Sequence, residues 1–255
     1  MSIAIEAHRP GARSLMIMVA GEAKMVIRDT AGLVIPLALP LLIMLMSASA
    51  AGEEVVANGR TVLEVFVLPL ALTMVVATIG IINMPSFLAY YRRSGILRRL
   101  AVTPASAVMV LTAQVIVSAA QTVIGVAIAM TVAMIGFGAQ LPVHLGAALA
   151  VFALAAAAMY ALGMVVAAIA PTPNSAVAIG LIGFFAIGAL GGMFGGRDAL
   201  PEPLARIGEL LPFGASIDAL GAAWVGATLP LEALISMAVT IAAGTTIAAT
   251  LFRWG

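Results

Sequence analysis

The chain has 255 residues, of which 63% are hydrophobic and 9% charged, with a net charge of +1 and a mean hydropathy of +1.18. A soluble domain is about half apolar and about 25% charged, so this much apolar surface can be hidden only in a bilayer. The near-neutral balance gives nucleic-acid binding no electrostatic basis, and the absence of cysteine excludes disulfides and thiolate metal sites.

Met1 to Arg13 is polar, and the first long apolar run begins well after it, so no cleavable signal segment is expected. Ser14 to Asp29 predicts an amphipathic helix. At about 100° per residue, Leu15, Val19, Ala23 and Val26 share one side, while Arg13, Lys24 and Arg28 cluster away from it. This reads as a helix lying in the membrane interface with its apolar side down, or else as a plain lead-in to the first span.

The first predicted span is Gly32 to Ala50, with Pro36 and Pro40 inside it as expected points of bending. Glu53, Glu54, Asn58 and Arg60 form a short polar loop. The second span, Val62 to Leu88, has Pro85 near its end. Tyr90 to Pro104 follows, with Arg92, Arg93, Arg98 and Arg99, each of which would cost several kcal/mol in hydrocarbon. Ile96, Leu97 and Leu100 lie at helical spacing there, giving a short amphipathic helix that either lies on the membrane or offers its apolar side to a partner.

The third span, Ser106 to Gly138, is too long for one straight crossing and should extend into the interface. Gln114, Ser118 and Gln121 fall on one of its faces. They and Asn83 are expected to bond neighbouring helices, the alternative being a polar stripe beside a substrate path. A turn with Pro142 leads to the fourth span, Gly146 to Ala170, which ends at Pro171-Thr172-Pro173-Asn174. The fifth, Ser175 to Phe194, carries Gly180, Gly183, Gly188, Gly191 and Gly192, a pattern for close helix packing within the chain or across a dimer. Between it and the last span, Leu229 to Phe252, residues 195–226 suggest two short helices hinged at Pro212-Phe213-Gly214 and dipping into the membrane. Leu204, Ile207 and Leu211 pattern the first of these, and Ile217, Leu220 and Trp224 the second.

Six spans put both termini on one side. That side would carry Arg9, Arg13, Lys24, Arg28, Arg92, Arg93, Arg98, Arg99 and Arg253, leaving Arg60, Arg197 and Arg206 outside. By the positive-inside rule both termini are therefore expected in the cytoplasm. The only lysine, Lys24, stands between Ala23 and Met25, so the chain has no P-loop and cannot itself be a Walker-type ATPase. His8 and His144 fall on opposite sides, so no metal site is expected, and no catalytic triad or carboxylate pair suggests an enzyme. The spans are almost free of ionisable groups, with Glu64 and Glu232 only at outer ends, which argues against an ion-coupled secondary transporter.

Three pieces stand out: Glu22-Ala23-Lys24-Met25-Val26-Ile27-Arg28-Asp29; Gly95-Ile96-Leu97-Arg98-Arg99-Leu100 with Thr103-Pro104; and Gly191-Gly192 with Leu200-Pro201, Leu211-Pro212 and Asp218-Ala219-Leu220. Together they resemble the membrane subunit of a type-2 ABC exporter, the permease of drug, antibiotic, lipid or polysaccharide efflux systems. The resemblance covers nearly the whole chain. It implies an all-α membrane protein, one permease domain over 1–255 with six transmembrane helices. The domain would have an interfacial elbow helix (14–29; Glu22, Lys24, Arg28), a cytoplasmic coupling helix (91–103) and an outer re-entrant helical hairpin (195–226). Arg92, Arg93, Gly95, Ile96, Leu97, Arg98, Arg99 and Leu100 would dock on an ATP-binding subunit. Two such subunits would carry the ATP and Mg, with no cofactor on this chain, and a second permease subunit, identical or homologous, would complete the transporter.

The second and fifth spans would line the export path in such an assembly, with Phe66, Met74, Asn83, Phe184, Phe185, Met193 and Phe194 as candidate contacts. The family often has an acid where this chain has Tyr90-Tyr91-Arg92-Arg93, so Glu22 is expected to pair with one of the arginines instead. The apolar spans favour a hydrophobic or amphipathic drug-like or lipid substrate, exported across the cell membrane. Polysaccharide or glycolipid export, or ion-coupled transport, are the alternatives.

Overall fold

The computed structural model of the chain describes residues 11–52, 54–96 and 107–251. It is built almost entirely of helices: α1 (Ala12–Arg28), α2 (Thr30–Ala51), α3 (Leu63–Arg93), α4 (Ala107–Phe137), α5 (Leu145–Ile169), α6 (Pro173–Leu190), α7 (Glu202–Leu210), α8 (Pro212–Val225) and α9 (Leu231–Leu251). Six of these, α2 to α6 and α9, are long and apolar enough to cross a bilayer. Their bounds lie within a few residues of the predicted spans, because runs this apolar end only where polar or breaking residues begin.

The helices are unequal. In its most apolar stretch α3 is 83% buried inside the chain, whereas α2, α6 and α9 are 22%, 22% and 17% buried. The second span is therefore the axis, wrapped by α2, α4, α5, α6 and α8. Helix α9 closes the bundle against α5 and α8, with Ala233, Met237, Gly244 and Ala248 on its inner face. Two hydrophobic clusters surround α3 along its length, one around Leu68, Leu72 and Trp224 and the other around Met74, Phe184 and Phe213. A third cluster joins Val26 of α1 to Met84, Phe87 and Tyr91 of α3.

Three local expectations change. The predicted apolar side of α1 turns inward onto α4 and α3, with Val26 buried, while Met16, Ile17 and Ile27 are its outward apolar residues. The polar loop after α2 is a hairpin, Val55–Ala57 against Arg60–Thr61. Its turn, Asn58-Gly59, holds φ at 47° and 73°, the left-handed pair that an Asn-Gly turn supplies. The α7–α8 break falls at Leu211, one residue before the expected hinge Pro212-Phe213-Gly214, because Pro212 lacks an N–H and fits the first turn of α8.

Candidate functional site

Prolines inside helices set the geometry of the site. A proline lacks the N–H that would bond the carbonyl four residues back, and in a membrane that carbonyl must find another donor. Pro36 releases Gly32 O, which accepts from both Asn83 Nδ2 (2.9 Å) and Gln121 Nε2 (2.8 Å). Asn83 Nδ2 also donates to Gln121 Oε1 at 3.1 Å. Because a carbonyl can only accept, both amides must present their NH2 groups to Gly32, which fixes their orientation. Pro40 likewise releases Pro36 O, where the Thr78 hydroxyl comes within 3.3 Å. One knot thus joins α2, α3 and α4 at a buried point.

In α3 the answer to proline is different. The helix widens to π turns over Leu63–Val67 and Thr78–Asn83, ahead of Pro69 and Pro85. An extra residue in the turn relieves the clash of the proline ring with the preceding carbonyls. The carbonyls of Gly80 and Ile81, five and four residues before Pro85, then face glycines. A methyl group on Gly163 of α5 would overlap Gly80 O, and one on Gly180 of α6 would overlap Ile81 O. Val65 O, four before Pro69, meets Gly221 of α8 in the same way, 2.5 Å from where a Cβ would stand. Contacts this close need glycine and permit weak Cα–H···O bonds.

The end of α3 at the arginine segment is held on two sides. Tyr91, 5% exposed, donates its hydroxyl to Glu22 Oε2 of α1 at 2.5 Å. Arg92 caps the far end of α5, donating to the carbonyls of Ala168 and Ala170. Burial of Glu22 raises its pKa above the usual 4.5, and the Tyr91 hydrogen bond offsets part of that rise. The expected pairing of Glu22 with an arginine is therefore corrected: Tyr91 takes that place, because the α3 register turns Tyr91 toward α1 and Arg92 toward α5. Gly95, with φ at 70°, ends the helix, and Ile96 packs on the α1–α3 cluster. Arg93, Lys24 and Arg28 are exposed. Leu97, Arg98, Arg99 and Leu100, expected to continue the segment, lie outside the described residues.

The candidate path residues divide. Met74, Phe184 and Met193 are core, at 0%, 0% and 5% exposure, and Phe66 packs between two hydrophobic clusters. Asn83 belongs to the α2–α4 knot. Phe185 and Phe194 lie on the outer face of α6 and the loop after it, their rings stacked with centroids 6.4 Å apart.

Gln114, Ser118 and Gln121 do share one inward face, joined by Thr122, whose hydroxyl bonds that of Tyr160 at 2.9 Å. Among the described residues Gln114 Oε1 has no hydrogen-bond partner. Missed from sequence was a clamp at the opposite end of α3. Glu64 accepts from Arg60, from Thr61 N and from Gln140 N, and Arg60 also reaches Leu141 O. The acid and base four apart were the available signal. Arg197 forks onto both carboxylate oxygens of Asp218 and ties the loop after α6 to α8.

Among the described residues no three His, Cys, Asp or Glu side chains converge as a metal site would require. The sequence model of the ABC-2 type transporter family matches residues 13–225. No curated protein matches the chain.

Proposed function

The chain belongs to the ABC-2 type transporter family, and from that membership we propose that it is the permease subunit of an ATP-driven exporter of hydrophobic or amphipathic compounds. The energy enters through a separate ATP-binding subunit that docks on the segment from Arg92 to Leu100. Two permease subunits and two ATP-binding subunits form the transporter, with both termini of this chain in the cytoplasm.

The observation that carries this reading is how the axis is anchored beside that segment. Tyr91 links α3 to α1, and Arg92 links it to the α5–α6 turn. Force applied just beyond Gly95 therefore reaches α1, α3 and α5 together. Farther along, the π turn of α3 lies against Gly163 and Gly180, so the same load is carried to α6. A chain with no phosphate-binding loop of its own needs such an input point.

Reconstitution with a partner ATP-binding subunit in liposomes tests the proposal. ATP hydrolysis should rise with an amphipathic compound present, and the compound should accumulate on the far side only with ATP. Accumulation driven by a proton gradient without ATP would overturn it in favour of ion coupling. Stimulation by polysaccharide or glycolipid alone would overturn the substrate class.

A further inference from the structure

A cavity of about 140 Å³ lies where α2, α3 and α6 meet, beside the Gly32 knot. Its side-chain donors are already committed inside the protein. Asn83 spends its amide hydrogens on Gly32 O and Gln121 Oε1. The Thr78 hydroxyl is shared between Met74 O at 2.8 Å and Pro36 O at 3.3 Å, and the Ser86 hydroxyl donates to Asn83 O at 2.7 Å. The Gly32 N–H goes to Asp29 Oδ1 at 3.1 Å. What remains among the side-chain groups of the wall is acceptors. Among the described residues neither Asn83 Oδ1 nor Asp29 Oδ2 receives a donor, and Asn83 is only 6% exposed. The two oxygens converge on the bare face of Gly32, at 2.8 and 2.6 Å from where a Cβ would stand.

Among the described residues Asp29 is the one carboxylate on this wall. It sits between the end of α1 and the start of α2, where it is the N-cap of α2 and engages the helix with Oδ1 alone. The rest of the wall is hydrocarbon, and Ile35, 55% exposed, marks an opening onto the outer surface of the bundle beside Val177 of α6. An anion would be repelled here, and a neutral acceptor would find no side-chain donor. A cationic donor finds a charge, an amide oxygen and an apolar margin.

We infer that this cavity binds a cationic group, the ammonium head of an amphipathic compound whose tail runs out past Ile35. The cation rests on the exporter reading only for its role as cargo; the same oxygens suit an inorganic monovalent cation, and the two sources are separable. Full-length protein in zwitterionic-lipid nanodiscs is assayed by scintillation proximity with tritiated dodecylamine and with tritiated dodecanol as its uncharged counterpart. Dodecylammonium should bind the wild type roughly ten-fold or more tightly than the alcohol, the size of one charge-assisted hydrogen bond. Asp29→Asn keeps an oxygen for the Gly32 N–H and removes the charge, so it should abolish that preference without changing dodecanol binding. Displacement of the amine by sodium but not by caesium chloride, lost in Asp29→Asn, supports the cationic site with an inorganic ion as its occupant. Equal binding of amine and alcohol to the wild type overturns the inference whether or not the variant folds, as does full amine binding by folded Asp29→Asn. The assay contains no ATPase, so either failure leaves the exporter reading to be judged by its own experiment.

Discussion

At the scale of single residues, the polar groups inside this bundle are organised by missing N–H groups. Gly32 O has two donors because Pro36 gives it none. Replacing either amide, by Asn83→Leu or Gln121→Leu, should lower stability in detergent by about 0.6–1.7 kcal/mol, the range for hydrogen bonds between membrane helices. The double variant orphans the carbonyl and should cost more than the sum, read by thermal unfolding of all four proteins. The Glu22–Tyr91 tie makes a second prediction, with its sign set by the raised Glu22 pKa. The folded state then holds the proton more firmly than the unfolded state, so this group's contribution falls as pH rises from 4.5 through the raised value. Glu22→Gln should therefore gain on the wild type in unfolding temperature as pH increases toward neutral. A difference that stays flat with pH would show that burial does not control Glu22.

At the scale of elements, α3 explains why its neighbours carry glycine where they do. The glycines of the fifth span suggest close packing from sequence alone, but they are not equivalent. Gly180 faces the Ile81 carbonyl, whereas a Cβ on Gly183 would meet only the Ile81 Cγ2 at 4.0 Å. Gly180→Ala and Gly163→Ala should each destabilise by about 1–3 kcal/mol through forced separation of helices, while Gly183→Ala should be near neutral. Comparable losses from all three would show that the π turn is not the contact that matters. The proline-to-glycine pairing was legible only in part. Pro85 announces a freed carbonyl, but its partner lies on helices far away in the chain.

At the scale of the whole molecule, the spans differ sharply in how much of their surface the chain itself covers. The most apolar stretch of the axis is 83% buried within its own chain and that of α6 is 22% buried, so under the proposed function a second subunit would meet α6 rather than α3. Under the proposed function, load enters at one end of that axis. Arg92→Ala, which frees the α5 terminus, should lower substrate-stimulated transport several-fold while leaving membrane insertion intact, measured in liposomes at equal protein. Leu97→Glu or Leu100→Glu should uncouple ATP hydrolysis from transport. Unchanged transport in these variants would remove the segment from the energy path.

By itself the sequence determined the solvent, the number of spans and nearly all their boundaries. It could do so because transfer of apolar residues from water to lipid depends on local composition and on the fixed length needed to cross. It also marked the inward face of α4, since helical spacing is a local property. Only the tertiary structure decided that the second span is the axis and that Glu22 meets Tyr91. It also showed Asn83 and Gln121 sharing one carbonyl released by Pro36, and Asp29 and Asn83 turning bare oxygens into one cavity. Each of these depends on which helix lies beside which and at what rotation. That choice is made by close packing of small residues between distant segments, and composition along the chain carries no record of it.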